Sequence, residues 1–306
     1  MQVPSQVEYE RATSVDHALS LLSRPETRVL AGGHSLIPMM KLRLAQPEVL
    51  VDINGLTELA SITYDGAHLR IGALARHADL LASALAAEHF GIFGDAERVI
   101  ADPIVRLWGT VGGSLCQADP SEDLSAAFAA TRAIAVIRSQ DGDRTVPVRA
   151  FHLGPYETVI GPGELLAEVR VPVRPGTGSA YEKVARRVGD WSVAAAGAVL
   201  RLGGSPDKPV VQSAGIGLTA VGAEHFVAAE AEDFLQGRVA DAESFAAAGA
   251  IAAAHCHPFA DQRGPEDYKR HLVGELTARA LRRAAARAAA RAAERGADRA
   301  DRAGDS

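Results

Sequence analysis

At 306 residues, 47% hydrophobic and with a formal charge of −6, the chain is long enough for two or three globular domains and too acidic for general nucleic-acid affinity. Its two cysteines, Cys116 and Cys256, are too few for a disulfide framework or for an iron–sulfur cluster, which takes four thiolates. No apolar run reaches the roughly 18 residues of a membrane span. The opening Met1-Gln2-Val3-Pro4-Ser5-Gln6 has neither a basic nor an apolar segment, so the expected compartment is the cytoplasm.

In chain order, residues 16–23 are amphipathic and read as a helix, 28–31 as a short buried strand, 36–43 as a helix capped by Ser35, and 47–53 as the next strand. This is a βαβ-like unit with a glycine pair after its first strand. A second stretch begins near Ile62. It reads as a strand at 68–73, an apolar helix at 77–87 and, after Ser121-Glu122-Asp123, a small-residue helix to Thr131. A hairpin of 134–138 and 144–148 follows, turning at Asp141-Gly142-Asp143, then a strand at 165–173. Pro175-Gly176-Thr177-Gly178-Ser179 reads as a linker.

The third stretch, 180–283, mixes strands at 193–202 and 210–219 with helices at 228–236, 241–255 and 268–283. The remaining residues are almost all Ala, Arg, Asp and Glu. Arg283, Arg287, Arg291 and Arg295 recur every four residues and share one helical face. That composition reads as a solvated, fraying extension, with a partner-binding helix as the alternative.

Two strings carry the chemistry. Ala31-Gly32-Gly33-His34-Ser35 and Thr110-Val111-Gly112-Gly113-Ser114 each follow a segment that reads as a strand. Glycine has no Cβ, so successive amides can turn inward to meet phosphate oxygens while a hydroxyl adds a donor. Two such strings suggest two walls around one dinucleotide. Other motifs are weaker. His255-Cys256-His257 has no further ligand at a zinc spacing, so no metal site is expected. Gly215-Ile216-Gly217 lacks the third glycine of the dinucleotide fingerprint and reads as a strand packed closely on a neighbour. Cys116 reads as a small buried filler rather than a reactive thiol.

Extended, the strings read Leu30-Ala31-Gly32-Gly33-His34-Ser35-Leu36-Ile37-Pro38-Met39-Met40-Lys41-Leu42-Arg43 and Gly109-Thr110-Val111-Gly112-Gly113-Ser114-Leu115-Cys116-Gln117-Ala118-Asp119-Pro120-Ser121-Glu122-Asp123-Leu124. Together they resemble the FAD-binding medium subunits of molybdenum hydroxylases, the group containing carbon monoxide dehydrogenase and xanthine dehydrogenase. Tyr181-Glu182-Lys183-Val184-Ala185-Arg186-Arg187-Val188-Gly189-Asp190-Trp191 resembles the opening of that family's C-terminal domain. Asp267-Tyr268-Lys269-Arg270-His271-Leu272 with Thr277-Ala278-Arg279-Ala280-Leu281 resembles its closing helix.

The resemblance implies an α+β fold. A two-subdomain FAD-binding domain of the PCMH type, vanillyl-alcohol-oxidase-like, would cover 1–175, divided into about 1–56 and 57–175. A smaller α+β C-terminal domain would cover 180–283, before the tail at 284–306. Cofactor contacts are implied for Ala31, Gly32, Gly33, His34, Ser35 and Leu36, and for Thr110, Val111, Gly112, Gly113, Ser114, Ala118 and Asp119, the strings wrapping the diphosphate. Asp123 would accept from ribityl or ribose hydroxyls. Leu165 or Leu166 would lie near the adenine and Lys183 at the flavin pyrimidine edge. Trp191 would lie against the isoalloxazine ring or, on a packing reading, in the core behind the sheet. These are cofactor holders, not catalysts.

A small [2Fe-2S] subunit and a large molybdenum-cofactor subunit would be separate chains, with electrons leaving through FAD to NAD+, quinone or oxygen. The competing expectation is a stand-alone FAD oxidase or dehydrogenase with its own substrate pocket. For that, the third stretch has no evident acid/base pair beyond His225 and His271.

Overall fold

Among the described residues the strands form three larger sheets and one two-stranded sheet. The computed structural model describes residues 3–205 and 207–304, with side chains described as far as Ala293. The first unit runs β1 (Glu8–Arg11), α1 (Val15–Leu22), β2 (Thr27–Leu30), α2 (Leu36–Lys41) and β3 (Val49–Asp52). Its strands are parallel, in the order β1-β3-β2. The central position of β3 follows from its run of buried Val49, Leu50 and Val51. Ser14 starts α1 by accepting from the His17 amide at 3.1 Å, and Val15, Ala18, Leu19 and Leu22 form the buried stripe. Ser35 stands at the start of α2 but makes no capping bond. Its own backbone is already helical (φ −101, ψ −51), whereas a capping hydroxyl needs an extended cap residue.

The second unit contains β4 (Ile62–Tyr64), β5 (His68–Gly72), α3 (His77–Ala82), α4 (Ala84–His89), α5 (Gly91–Val99), α6 (Pro103–Trp108), α7 (Val111–Gln117), α8 (Asp123–Ala130), β6 (Ile134–Ser139), β7 (Gly142–Pro147), β8 (His152–Gly154), β9 (Glu157–Thr158) and β10 (Leu165–Pro172). Five of these strands form an antiparallel sheet, β4-β5-β10-β6-β7. The helix expected over 77–87 is two helices. Ser83 breaks it by adopting extended backbone and accepting from the Ala86 amide at 3.1 Å.

The approach to the second glycine pair is also not a strand. Pro103 in the first turn and Asp102, which accepts from the Val105 amide at 2.8 Å, start α6 despite its β-branched and aromatic residues. The glycine pair itself lies in the first turn of α7.

The third unit is an antiparallel meander, β11 (Thr177–Ala185), β12 (Ser192–Ser205) and β13 (Lys208–Thr219), followed by α9 (Ala229–Leu235), α10 (Ala242–Ala254) and α11 (Glu266–Gly304). Helix α8, buried along its whole length, crosses β13 so closely that a Cβ at Gly215 or Gly217 would lie 2.0 or 1.9 Å from the Ala130 or Ala126 carbonyl. The close-packed reading of that pair holds.

Two expectations fail here. The linker read at 175–179 is partly strand, since Thr177, Gly178 and Ser179 already pair with Arg201, Leu200 and Val199. Nor does the first part of the tail fray. Helix α11 runs on, with Ala284 and Ala288 buried, Arg287 on Asp95 at 2.6 Å and Arg291 on the Thr177 carbonyl at 2.8 Å. Arg295 lies outside the described side chains.

Asp95 also takes Arg283 at 3.0 Å and the Tyr181 amide at 3.2 Å. Replacing it by Ala is expected to lower unfolding free energy by about 1–3 kcal/mol, chiefly for the orphaned buried amide, because the half-exposed guanidiniums rehydrate. Urea denaturation checks this, and an unchanged midpoint would refute it.

Candidate functional site

A cleft of about 860 Å³ runs between the two glycine strings, in the upper part of the roughly 300–1,000 Å³ range of small-molecule sites. Ala31, Gly32, Gly33, His34, Ser35 and Leu36 form one wall; Thr110, Gly112, Gly113 and Ser114 form the other. Asp123, Leu165, Leu166, Lys183 and Trp191 also border it. Val111, Ala118 and Asp119 do not. Val111 is fully buried in the core, Ala118 ends α7 in left-handed backbone, and Asp119 holds the Ser121 amide and the Tyr156 hydroxyl.

The two strings differ in what they present. Among the described residues, no acceptor meets the amides of Gly32, Gly33, His34, Ser35 or Leu36. Gly33 has φ +77 and Ser35 is right-handed, and such a change of hand can turn successive amides inward as an anion-binding nest does. Four of the second string's five amides, all but that of Thr110, are committed. Val111 donates to the Ala75 carbonyl at 2.9 Å, Gly112 to Ala73 at 2.8 Å and Ser114 to Thr110 at 3.0 Å, and Gly113 donates to Thr110 Oγ1 at 3.0 Å. This string is therefore a close wall rather than a second backbone cradle.

A clasp that sequence reasoning missed holds the walls together. Arg76 donates to the Trp108 carbonyl at 2.6 Å and to Asn54 Oδ1 at 2.8 Å. Asn54 in turn donates to the Ala31 carbonyl at 2.7 Å. Nothing in the spacing of these residues signals the contact.

Asp123 is 6% exposed and accepts from Tyr181 Oη and Ser192 Oγ on Oδ1, both at 2.8 Å, and from Lys183 Nζ on Oδ2 at 2.7 Å. Burial and the Asp123 carboxylate raise the Tyr181 pKa well above its usual value, so this phenol stays a donor. A carboxylate has about four acceptor positions, which leaves one on Oδ2 for a cleft hydroxyl. Lys183 also donates to the Val99 carbonyl at 3.1 Å, leaving one ammonium proton.

Trp191 is 45% exposed in the cleft wall rather than in the core. Cys116 is exposed there too, not a buried filler. Burial pushes the neighbouring Glu122 carboxyl up to about 7, while its oxygens accept from the Leu124 and Ser125 amides.

A parallel βαβ unit, an antiparallel sheet and an amide nest facing a long cleft together define an α+β protein that binds a dinucleotide cofactor. Residues 5–174 match the family model of the FAD binding domain in molybdopterin dehydrogenase, and 179–284 that of the CO dehydrogenase flavoprotein C-terminal domain. The chain is 39% identical over 282 residues to the carbon monoxide dehydrogenase medium chain of Hydrogenophaga pseudoflava, covering 91% of this chain and 97% of that one. It is 34% identical over 280 residues to the glyceraldehyde dehydrogenase medium chain of Sulfolobus acidocaldarius, covering 91% and 98%. A solved structure of carbon monoxide dehydrogenase from Hydrogenophaga pseudoflava superposes with a TM-score of 0.88 at 41% identity, covering 93% and 99%. The chain belongs to the family of FAD-binding medium subunits of molybdenum hydroxylases, and is an oxidoreductase subunit. No helix among the described residues is long and apolar enough to cross a membrane.

Proposed function

We propose that this subunit carries electrons between a small [2Fe-2S] subunit, served by a large molybdenum-cofactor subunit, and NAD+, quinone or oxygen, in the cytoplasm. FAD, when bound, supplies the chemistry of accepting electrons singly and passing on a pair. The observation that carries the reading is the run of cleft-lining residues Gly32 to Leu36 whose amides meet no acceptor among the described residues, a donor set suited to a diphosphate. Around it, Leu165 and Leu166 give an apolar seat for an adenine, Asp123 accepts from a ribityl or ribose hydroxyl, Lys183 donates to the pyrimidine edge and Trp191 covers a ring face. Ser114 adds a hydroxyl from the opposite wall.

The test is the visible spectrum of the purified chain before and after acid release, followed by co-purification from its source. Released FAD together with an iron–sulfur chain and a molybdenum chain supports the proposal. A colourless protein that takes up no added FAD refutes it. The clasp yields a separate expectation. Arg76→Met should weaken FAD binding by about ten- to a hundredfold, the value of charge-assisted bonds that set the gap between the walls, read by fluorescence titration with the fold retained.

A further inference from the structure

Behind Ser114 lies a row of polar side chains that the cofactor contacts above leave unexplained. His77 is 4% exposed and Glu97 is fully buried. The ring Nδ1 faces both Glu97 oxygens at 3.0 Å, and Nε2 lies 3.1 Å from Ser114 Oγ. Ser114 and His77 border the cleft and Glu97 does not. Carboxylate, imidazole and hydroxyl thus stand in charge-relay order.

The proton on the ring decides what Ser114 presents. When His77 is charged, Nδ1–H donates to Glu97 and Nε2–H to Ser114 Oγ, so the hydroxyl hydrogen turns outward as a donor to the cleft. When the ring is neutral with its proton on Nδ1, Nε2 accepts the Ser114 hydroxyl hydrogen, and only lone pairs face the cleft. Apart from Thr110, the second string's amides are already committed. Its contribution to an anion therefore falls largely to side chains, and Ser114 is wired to a buried charge.

We infer that Glu97, His77 and Ser114 form a proton-controlled relay that binds the diphosphate of the cofactor, His77 acting as a positioning residue that turns the Ser114 hydroxyl toward the phosphate oxygens. This rests on the reading that the two strings hold the FAD diphosphate. Burial, the largest single influence, and Arg106 oppose charge on His77, but Glu97 and Glu122 together more than offset them, so the His77 pKa is raised. Burial raises the Glu97 pKa as well and Asp123 adds to it, while the contact with His77 and the Arg106 charge oppose the rise. Affinity for FAD is therefore full below the His77 pKa and falls as pH rises through it.

The experiment is equilibrium titration of the full chain with FAD, and in parallel with riboflavin, which has no phosphate, from about pH 6 to about pH 9. The expected result is an FAD affinity that drops about tenfold or more while riboflavin affinity stays flat, and because Glu122 titrates near 7 in the same cleft, the drop must persist in Glu122→Gln. His77→Gln should bind FAD about ten- to a hundredfold more weakly at low pH and without pH dependence. Glu97→Gln still accepts from Nδ1–H but lacks the charge, so the midpoint should move to lower pH, a shift that a packing role does not produce. Ser114→Ala should flatten the FAD profile. Where His77→Gln does not fold by circular dichroism, Glu97→Gln and Ser114→Ala decide. FAD binding with a flat wild-type profile, or an unmoved midpoint in Glu97→Gln, overturns the relay. A wild-type chain that takes up no FAD at any pH overturns the cofactor reading itself.

Discussion

Gly33→Val is expected to purify without flavin and with its secondary structure intact. Gly33 sits at φ +77, and a Cβ there would lie 2.8 Å from Ile37 Cδ1. Ile37 is 39% exposed, so its side-chain tip can move aside; the backbone strain of about 1–3 kcal/mol remains. A β-branched residue relieves that strain by returning to negative φ, which turns the amides of His34 and Ser35 away from the cleft. Losing two or more bonds to a charged group should weaken FAD by about a hundredfold or more. Gly33 belongs to none of the buried hydrophobic clusters, so the far-ultraviolet circular dichroism should match wild type. Gly113→Ala should do less, because its Cβ meets Thr110 Oγ1 at 2.7 Å and displaces the start of α7 rather than the nest. A flavin spectrum at full occupancy in Gly33→Val would rule out the nest as the anion site.

What could be read from the sequence was local. The first string is a short-range feature, small residues with one left-handed glycine, Gly33, and it lines the cleft. The hairpin of β6 and β7 was legible, though it turns at Gln140-Asp141, with Gly142 and Asp143 already paired to Ser139 and Arg138, and the buried α8 follows from small-residue periodicity. Helix α6 was hidden because Ile104, Val105 and Trp108 favour extended backbone, while the start signal is confined to Asp102 and Pro103. The continuation of α11 was hidden because Ala and Arg read as solvated until Asp95 and Ser179 appear opposite Arg287. The second string has the same residue types as the first, yet its amides are taken by Ala73, Ala75 and Thr110, and that difference is tertiary. Both the Asn54–Arg76 clasp and the His77–Glu97 pair join residues from different elements, and no spacing rule links them.

Asp123→Asn is expected to destabilise more than any other single change at the cleft. The carboxylate joins the start of α8 to β11 and β12 through Tyr181, Lys183 and Ser192. The Lys183 side chain is only 4% exposed. An Asn oriented to accept from Tyr181 and Ser192 aims its own NH2 at the Lys183 ammonium, donor against donor, and leaves a buried charge without a counter-ion. Breaking a buried pair from one side costs about 3–5 kcal/mol, which should appear as a fall in Tm of roughly 10 °C. If the stranded ammonium is the cause, Lys183→Met added to Asp123→Asn should recover more than half of the loss, a non-additivity confined to residues in contact. Equal melting temperatures for the single and double variants would refute that cause and leave lost packing at the α8 terminus as the explanation. The double variant also separates stability from binding. A chain that melts near wild type yet takes up FAD weakly would place Asp123 and Lys183 in contact with the cofactor, whereas unchanged FAD affinity would confine the pair to joining the two lobes of the cleft.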